Sequence, residues 1–329
     1  DGADGLCERP YGSRLQKLIP TTGMYYIIAT SYSSKSTGNF TLDITKTTAP
    51  SKTYYVDAVT GNNANDGQTS STPLASLNAA MDSLNAVPSV GTIYVMSDIL
   101  LTKKLDIHYD ATLLANESNT YTIKRDINNL TGNVFNVYDN LHLGNATMEG
   151  QLIFDGGYDA VNDSTVYSGD CYIYNRNGGI LAIYAGITLQ NNVFNPSWNY
   201  YGGSIWNDGI ITMYGGQITQ NGAAYGGAIC NDNGSTLTLN GGSIENNTAY
   251  RNGGGIYNED NSTVIINDGT INNNTAYDNG GGVYNYNNST ITLNSGSINN
   301  NVAQNDGGGG IWNTNNGTVT LNGGSIDSN

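Results

Sequence analysis

The sequence predicts an all-β fold, a right-handed parallel β-helix with three strands per coil, on the evidence of two repeated markers. The first is a Gly-Gly-x-Ile-x-Asn core, whose aliphatic residues lie 24, 27, 27 and 28 positions apart at Ile205, Ile229, Ile256, Val283 and Ile311. The second is an Ile-x-x-Asn pair that starts at Ile218 and recurs in steps of 26, 27, 27 and 28. A fixed period of about 20–50 residues is typical of a solenoid.

The pattern inside one unit indicates which solenoid this is. Residues 256–258, 263–266 and 270–272 alternate as strands do, and Gly, Asn, Asp and Ser separate them. No unit contains a helical stretch, which excludes leucine-rich, ankyrin and tetratricopeptide repeats. Side-chain alternation predicts that Ile256, Val264, Ile266 and Ile271 point inward, as do their counterparts Ile229, Leu237, Leu239 and Ile244.

Asparagine recurs at two positions of every unit, and we expect these side chains to stack into ladders. A stacked amide donates to one neighbour and accepts from the other, which satisfies polar groups at a tight corner. We prefer this structural interpretation to a binding role. The expected rungs are Asn207, Asn231, Asn258, Asn285 and Asn313 in one ladder, and Asn221, Asn247, Asn274, Asn301 and Asn329 in the other.

Composition divides the chain into five segments. They are 1–48, a partial β-sandwich; 49–53, a linker; 54–90, a cap with a helix near 73–86; 91–200, irregular coils; and 201–329, regular coils. Thr72 is the expected helix cap and Pro73 the first helical residue. Leu74, Leu77, Ala80, Met81 and Leu84 share one face, which would cover the exposed edge of the first coil. The loop at 62–67 fits a cap turn better than a Ca²⁺ loop, because it lacks paired carboxylates.

Gly91 to Asn329 has room for about nine coils. We expect residues 93–95, 105–107 and 121–123 to form the strands of the first coil. The sequence stops within a repeat, so we expect it to belong to a longer surface protein or fibre.

Segment 1–48 reads as two strands joined by a Ser-rich loop. Its Thr22-Gly23-x-Tyr25-Tyr26 and Gly38-Asn39-Phe40-Thr41-Leu42 stretches resemble the closing half of bacterial pre-peptidase C-terminal domains. This resemblance implies that the first half of the domain lies upstream and carries the disulfide partner of Cys7.

The repeats themselves resemble those of polymorphic outer-membrane proteins and adhesin-like surface proteins. The opening Tyr54-Tyr55-Val56-Asp57, with the Asn65-Asp66-Gly67 loop, is similar to the N-terminal cap of the pectate-lyase-like superfamily. That superfamily contains lyases, hydrolases, tail spikes and adhesins, so the resemblance implies the fold and leaves the function open.

Charge excludes two classes of partner. The net charge is −15, with 12 Lys and Arg against 27 Asp and Glu. Arg125, Arg176 and Arg251 are the only Lys or Arg residues beyond Lys124. Neither nucleic acid nor anionic lipid is an expected partner, because little in the chain neutralises phosphate. No apolar run is long enough to insert into a membrane. We expect no cofactor and no metal, and an extracellular or cell-surface location.

Three cysteines are present. Alternation places Cys171 inward beside Ile173 and Cys230 outward after Ile229, so we expect no bond between them. Cys7 has no evident partner in the chain.

Asn-x-Thr triplets suggest N-glycosylation at Asn39, Asn129, Asn145, Asn246 and Asn273. The alternative interpretation is that Asn-rich turns entering Thr-rich strands create these triplets by chance, and we favour it.

Aromatic residues follow the inward aliphatics, and we expect two outward columns. They are Trp206, Tyr257, Tyr284 and Trp312, with Cys230 interrupting, and Tyr225, Tyr250 and Tyr277. Exposed rings stack on sugars, whereas rings on neighbouring coils also pack on one another; we favour the second interpretation. The Thr-x-Thr pairs resemble an ice-binding array, but Ile265 breaks it.

Polysaccharide cleavage requires carboxylates that converge. Acids of the regular coils, such as Asp208, Asp232 and Glu259, lie at turns, and we expect them not to converge. A catalytic cluster would instead lie near Asp155, Asp159 and Asp170.

The preferred function is therefore an extracellular, non-enzymatic stalk, matrix or adhesin element. Its partners would be further copies of itself in a fibre, or cell-surface glycans and proteins. The alternative is a polysaccharide lyase or glycoside hydrolase.

Overall fold

The computed structural model describes residues 50–158, 170–194, 200–305 and 307–329. The chain divides into two units, Asp1–Pro50 and Ser51–Asn329, and the described residues belong almost entirely to the second. The predicted partial β-sandwich and linker (1–48 and 49–53), with Cys7 and Asn39, lie outside the described residues, apart from Pro50–Thr53.

Stacked parallel strands form three faces along the second unit, numbered β1–β29 in chain order. The first face contains β1 (Ser51–Val56), β2 (Val90–Val95), β5 (Ala111–Ala115), β8 (Asn140–Leu143), β11 (Ile180–Ile183), β14 (Ile210–Met213), β18 (Thr236–Glu245), β21 (Thr263–Asn272), β24 (Thr290–Leu293) and β28 (Thr318–Leu321). The second contains β3 (Ile99–Leu101), β6 (Thr120–Arg125), β9 (Gln151–Asp155), β12 (Ile187–Gln190), β15 (Gln217–Thr219), β25 (Ser297–Asn299) and β29 (Ser325–Asp327). Strands β18 and β21 continue round the corner into this second face.

The third face contains eight strands: β4 (Leu105–Ile107), β7 (Phe135–Val137), β10 (Ile173–Asn175), β13 (Ile205–Asn207), β17 (Ile229–Asn231), β20 (Ile256–Asn258), β23 (Val283–Asn285) and β27 (Ile311–Asn313). The described part of the rod therefore has eight complete coils, and β28 and β29 begin a ninth. The predicted parallel β-helix is confirmed. The assignment of residues 121–123 to the first coil is wrong, because they lie in β6, whose Ile123 pairs with Ile99 of β3 in the coil before.

A short fourth sheet, which the sequence did not predict, adds a strand to the later coils between the second and third faces. It contains β16 (Gly222–Tyr225), β19 (Thr248–Asn252), β22 (Thr275–Ala276) and β26 (Val302–Ala303). Strands of two to five residues carry too little alternation to be recognised in a sequence.

The interior of the helix is apolar and close-packed. Ile256, Val264, Ile266 and Ile271 have no exposed surface, and neither do Ile229, Leu237, Leu239 and Ile244. These residues belong to one continuous core, as alternation predicted.

Helix α1 (Leu77–Asn85) packs Leu77, Ala80, Met81 and Leu84 against the first coil. Its cap is Ser76, whose Oγ accepts from the Ala79 amide at 3.3 Å, so the expected start at Thr72-Pro73 is wrong. Leu74 instead pairs in extended form with Val56 of β1, and the helix can begin only beyond it.

Both asparagine ladders are present. In the first, each side-chain amide donates to the next coil at 2.6–2.8 Å, from Asn207 through Asn231, Asn258 and Asn285 to Asn313. In the second, Asn221, Asn247, Asn274, Asn301 and Asn329 do the same at 2.9–3.0 Å. Asn175 adds an earlier rung to the first ladder, and the backbone amide of Asn192 donates to Asn221 Oδ1 at the start of the second.

Candidate functional site

Two columns of side chains run along the outer surface of the third face. Strand pairing aligns the first column coil by coil as Asp106, Asn136, Tyr174, Trp206, Cys230, Tyr257, Tyr284 and Trp312. The second column lies two residues further along each coil, as His108, Tyr138, Arg176, Asp208, Asp232, Glu259, Tyr286 and Thr314. These residues lie one position past the ends of the strands, where backbone bonds such as that from the Asp232 amide to the Asn207 carbonyl continue the pairing. The Tyr174 hydroxyl donates to Asp208 Oδ2, which places the two columns side by side.

Rings of the first column pack on one another. Tyr174 and Trp206 stack with centroids 5.3 Å apart, and Tyr257 and Tyr284 stack at 5.1 Å with 6° between their planes. Tyr257 and Tyr284 are only 6% and 9% exposed, whereas Trp206 and Trp312 are half-buried. The ring faces of these two tyrosines therefore join adjacent coils, which is the interpretation favoured from the sequence over an exposed stripe.

The other predicted column is not continuous. Tyr225 stacks on Tyr201 at 4.7 Å and also contacts Tyr257. Tyr250 and Tyr277 lie further apart, with centroids 6.1 Å from each other, and Tyr277 is 45% exposed.

Cys230 lies outside the central core but is fully buried, because Tyr257, Tyr284 and neighbouring rings cover it. Cys171 also lies outside that core, packed with Phe194 and Ala223, so its predicted inward position is wrong. Tyr172 takes the inward place beside Ile173, because the Tyr172 carbonyl accepts from both Val134 and Phe135 and the alternation slips by one. Both thiols are free.

Carboxylates converge next to the aromatic column, contrary to expectation. Asp208 accepts from the Tyr174 hydroxyl at 2.6 Å and from Trp206 Nε1 at 3.0 Å. Asp208, Asp232 and Glu259 directly follow the ladder residues Asn207, Asn231 and Asn258, so pairing stacks them on three successive coils. Each of the three acids comes directly after a ladder asparagine in the sequence, and this constant spacing is the signal that predicts their alignment.

Their burial and their closeness change the pKa values of two of these carboxyl groups, Glu259 and Asp232. Burial, followed by repulsion from the Asp232 and Asp260 carboxylates, raises the pKa of Glu259 to about 7, while a hydrogen bond with Tyr257 opposes the shift. Burial also raises the pKa of Asp232, with added repulsion from Asp260 and Asp208. Near neutral pH Glu259 can therefore either donate or accept a proton.

Arg176 supplies a positive charge on the same face. Its guanidinium lies 3.7 Å from the Tyr174 ring centroid, and Nε and Nη2 donate to Asn136 Oδ1 at 3.2 and 2.7 Å. In the second column, the positively charged Arg176 is therefore followed on the next coil by the carboxylate of Asp208.

The acids expected near the irregular coils serve local structure. The Asp155 carboxylate accepts from Gly157, Gln190 and Asn191. One oxygen of Asp170 accepts from the Cys171 amide, and Asp159 lies outside the described residues. Among the Asn-x-Thr asparagines, Asn129, Asn246 and Asn273 are exposed and Asn145 is half-buried.

Within the described ranges, no group of three or more His, Cys, Asp or Glu side chains is arranged to hold a metal ion. The same ranges contain no helix long and apolar enough to span a bilayer.

The stacked coils define the class of protein. A family model described as "Right handed beta helix region" matches residues 159–326, just over half of the chain, so the protein belongs to the right-handed β-helix family. No curated protein and no solved structure matches the chain.

Proposed function

We propose that the protein is an extracellular, non-enzymatic surface protein whose β-helix serves as a stalk, matrix or adhesin element. The observation that carries this proposal is the packing of the third face. Rings that would otherwise be free to hold a ligand, such as Tyr257 and Tyr284, cover one another and Cys230. Ladders and rings together join each coil to the next, which suits a rod that spans distance.

Surface chemistry supports an extracellular setting. Only 12% of residues are charged, so the polarity of the chain comes mainly from amide and hydroxyl side chains. Asn246 and Asn273 are exposed with Thr two residues later, in the triplet that N-glycosylation requires. Cell-surface glycans, surface proteins or further copies of the chain in a fibre are the proposed partners.

Immunogold labelling of intact source cells, with an antibody raised against residues 51–329, tests this function. Gold on unpermeabilised cells, together with rods in negative-stain images of the native material, is the expected result. Labelling only after permeabilisation contradicts a surface role.

A second candidate, glycoside hydrolysis, rests on the raised pKa of Glu259 beside Asp232. Adjacent strands lie about 4.8 Å apart, close to the ~5–5.5 Å between the carboxyl groups of retaining hydrolases. Glu259 would protonate the glycosidic oxygen, and Asp232 would attack the anomeric carbon. Water would then release the sugar from Asp232.

Reducing-end release from a panel of polysaccharides tests this candidate. Glu259→Gln and Asp232→Asn are expected to abolish release if it holds, while Asp268→Asn, at an exposed acid, leaves release unchanged. Release by the wild type that survives Glu259→Gln excludes Glu259 as the acid, and no release from any substrate favours the non-enzymatic role.

A further inference from the structure

The fourth sheet carries a pair of neighbouring tyrosine rings on successive coils, and the next coil has none in that position. Strand pairing aligns Ala249, Ala276 and Ala303 on successive coils. The residues directly after them are Tyr250, Tyr277 and Gln304. Tyr277 therefore has a ring on one side, with centroids 6.1 Å apart, and a glutamine in the position of the next ring. This interruption leaves Tyr277 45% exposed.

A polar pocket of about 460 Å³ includes this glutamine, and its lining residues are Asp278, Asn279, Gln304 and Asn305. These residues follow β22 and β26, so two neighbouring coils contribute to the pocket. Three carboxamides and one carboxylate offer both donors and acceptors in a small space.

Hydrogen bonds fix the lining. Asn305 Nδ2 donates to Asp278 Oδ1 at 3.0 Å, and Asn279 donates from both its backbone and its side chain to Asn252 Oδ1, at 3.1 and 3.0 Å. These bonds hold Asp278, Asn279 and Asn305 in fixed positions at the pocket. Preorganised polar groups lose little conformational freedom when a ligand binds.

We propose that this pocket binds a neutral sugar residue of a glycan, with the sugar ring stacked on Tyr277 in the position that the next tyrosine of the column would take. This inference rests on the proposed function, since it names a binding site for the glycan partners of a surface protein. Sugar hydroxyls donate and accept at once, which matches carboxamides beside a carboxylate, and the apolar face of a sugar packs on an aromatic ring. Asp278 and the net charge of −15 repel uronates and sulfated sugars.

A glycan array with neutral hexose, N-acetylhexosamine, uronate and sulfated oligosaccharides tests the proposal, followed by titration calorimetry of the best neutral binder. Tyr277→Ala is expected to weaken binding at least tenfold. Gln304→Tyr would place a third ring beside Tyr277 at the pocket, and is expected to abolish binding without lowering the thermal unfolding midpoint. Tyr214→Ala is the matched control, because Tyr214 is 52% exposed and stacks on a single neighbour, Tyr184.

Absence of binding to any neutral glycan, or binding to acidic glycans alone, overturns the inference. The inference is also overturned if neutral-glycan binding survives both Tyr277→Ala and Gln304→Tyr. That result would leave the proposed role of a glycan-binding surface protein in place. The proposed surface function is tested separately by the immunogold labelling described above, and a failure there contradicts it whatever the glycan array shows.

Discussion

The side-chain amide of Asn258 donates to Asn285 Oδ1 at 2.7 Å across the space between two coils, and neither residue has exposed surface. Asn258 also donates to the carbonyls of Ser262 and Thr290, and it accepts from Asn231. One side chain therefore satisfies polar groups on three coils.

Asn258→Ala is expected to lower the free energy of unfolding by about 1–3 kcal/mol, because it strands buried donors and acceptors. Urea denaturation followed by circular dichroism measures the change. Asn267→Ala is the control, since Asn267 joins an exposed amide row with Asn240 and Asn294, where water can replace the lost bonds. Equal losses for the two variants would contradict a special role for burial.

Glu259 makes stability depend on pH. Its pKa in the folded protein is about 7 against an ordinary value of 4.5, so the folded state holds the proton more tightly than the unfolded state. Its stabilising contribution is complete below about pH 4.5 and is lost as the pH rises through 7. Glu259→Gln is therefore expected to raise stability at pH 8 by about 1–2 kcal/mol, a figure reduced for partial exposure.

Unfolding midpoints at pH 5 and pH 8 provide the measurement. The gain of the variant over wild type should be larger at pH 8. A gain of the same size at both values would show that Glu259 does not titrate between them.

Ser76→Ala is expected to destabilise the first coil by about 1 kcal/mol, because it removes the side chain that caps α1. Thr72→Ala is the informative control, since Thr72 lies outside the helix and its hydroxyl bonds Asp66 and Thr69 in an exposed loop. Thermal unfolding midpoints of both variants show which substitution destabilises the protein more. A larger loss at Thr72 would contradict Ser76 as the cap.

Cys171 and Cys230 are expected to resist thiol reagents in the folded protein. Burial, the largest cause in each case, raises the pKa of both thiols, and only the thiolate reacts. Labelling with iodoacetamide at pH 8 in a Cys7→Ser background, with and without urea, measures this. We expect no adduct in the native state and two after unfolding; rapid native labelling would mean that the ring cluster over Cys230 opens.

How far the sequence predicts this molecule depends on the length of the pattern. The Gly-Gly-x-Ile-x-Asn core and the Ile-x-x-Asn pair each occur five times, so together they predict the strands of the three main faces, the inward residues and the ladder positions of Asn207 and Asn221. Ser76 as a cap was missed because Thr72-Pro73 carries the same local signal, and only the pairing of Leu74 with Val56 decides between them.

The candidate site was harder, because it depends on neighbours that are distant in sequence. Asp232 and Glu259 occupy turn positions that look solvated when read alone. Their shifted pKa values arise only after the coils stack and burial adds to repulsion. Cys171 was misplaced because a single slip in alternation is invisible without the pairing partner.

The direction of the two buried ladders has a consequence for length. Every ladder amide donates toward the coil that follows, so each regular coil offers the same amide donors to the next coil and the same acceptors to the previous one. Removing one whole unit would bring together two coils whose ladders still match. The length of such a β-helix can therefore increase or decrease by one coil at a time without requiring a new interface between coils.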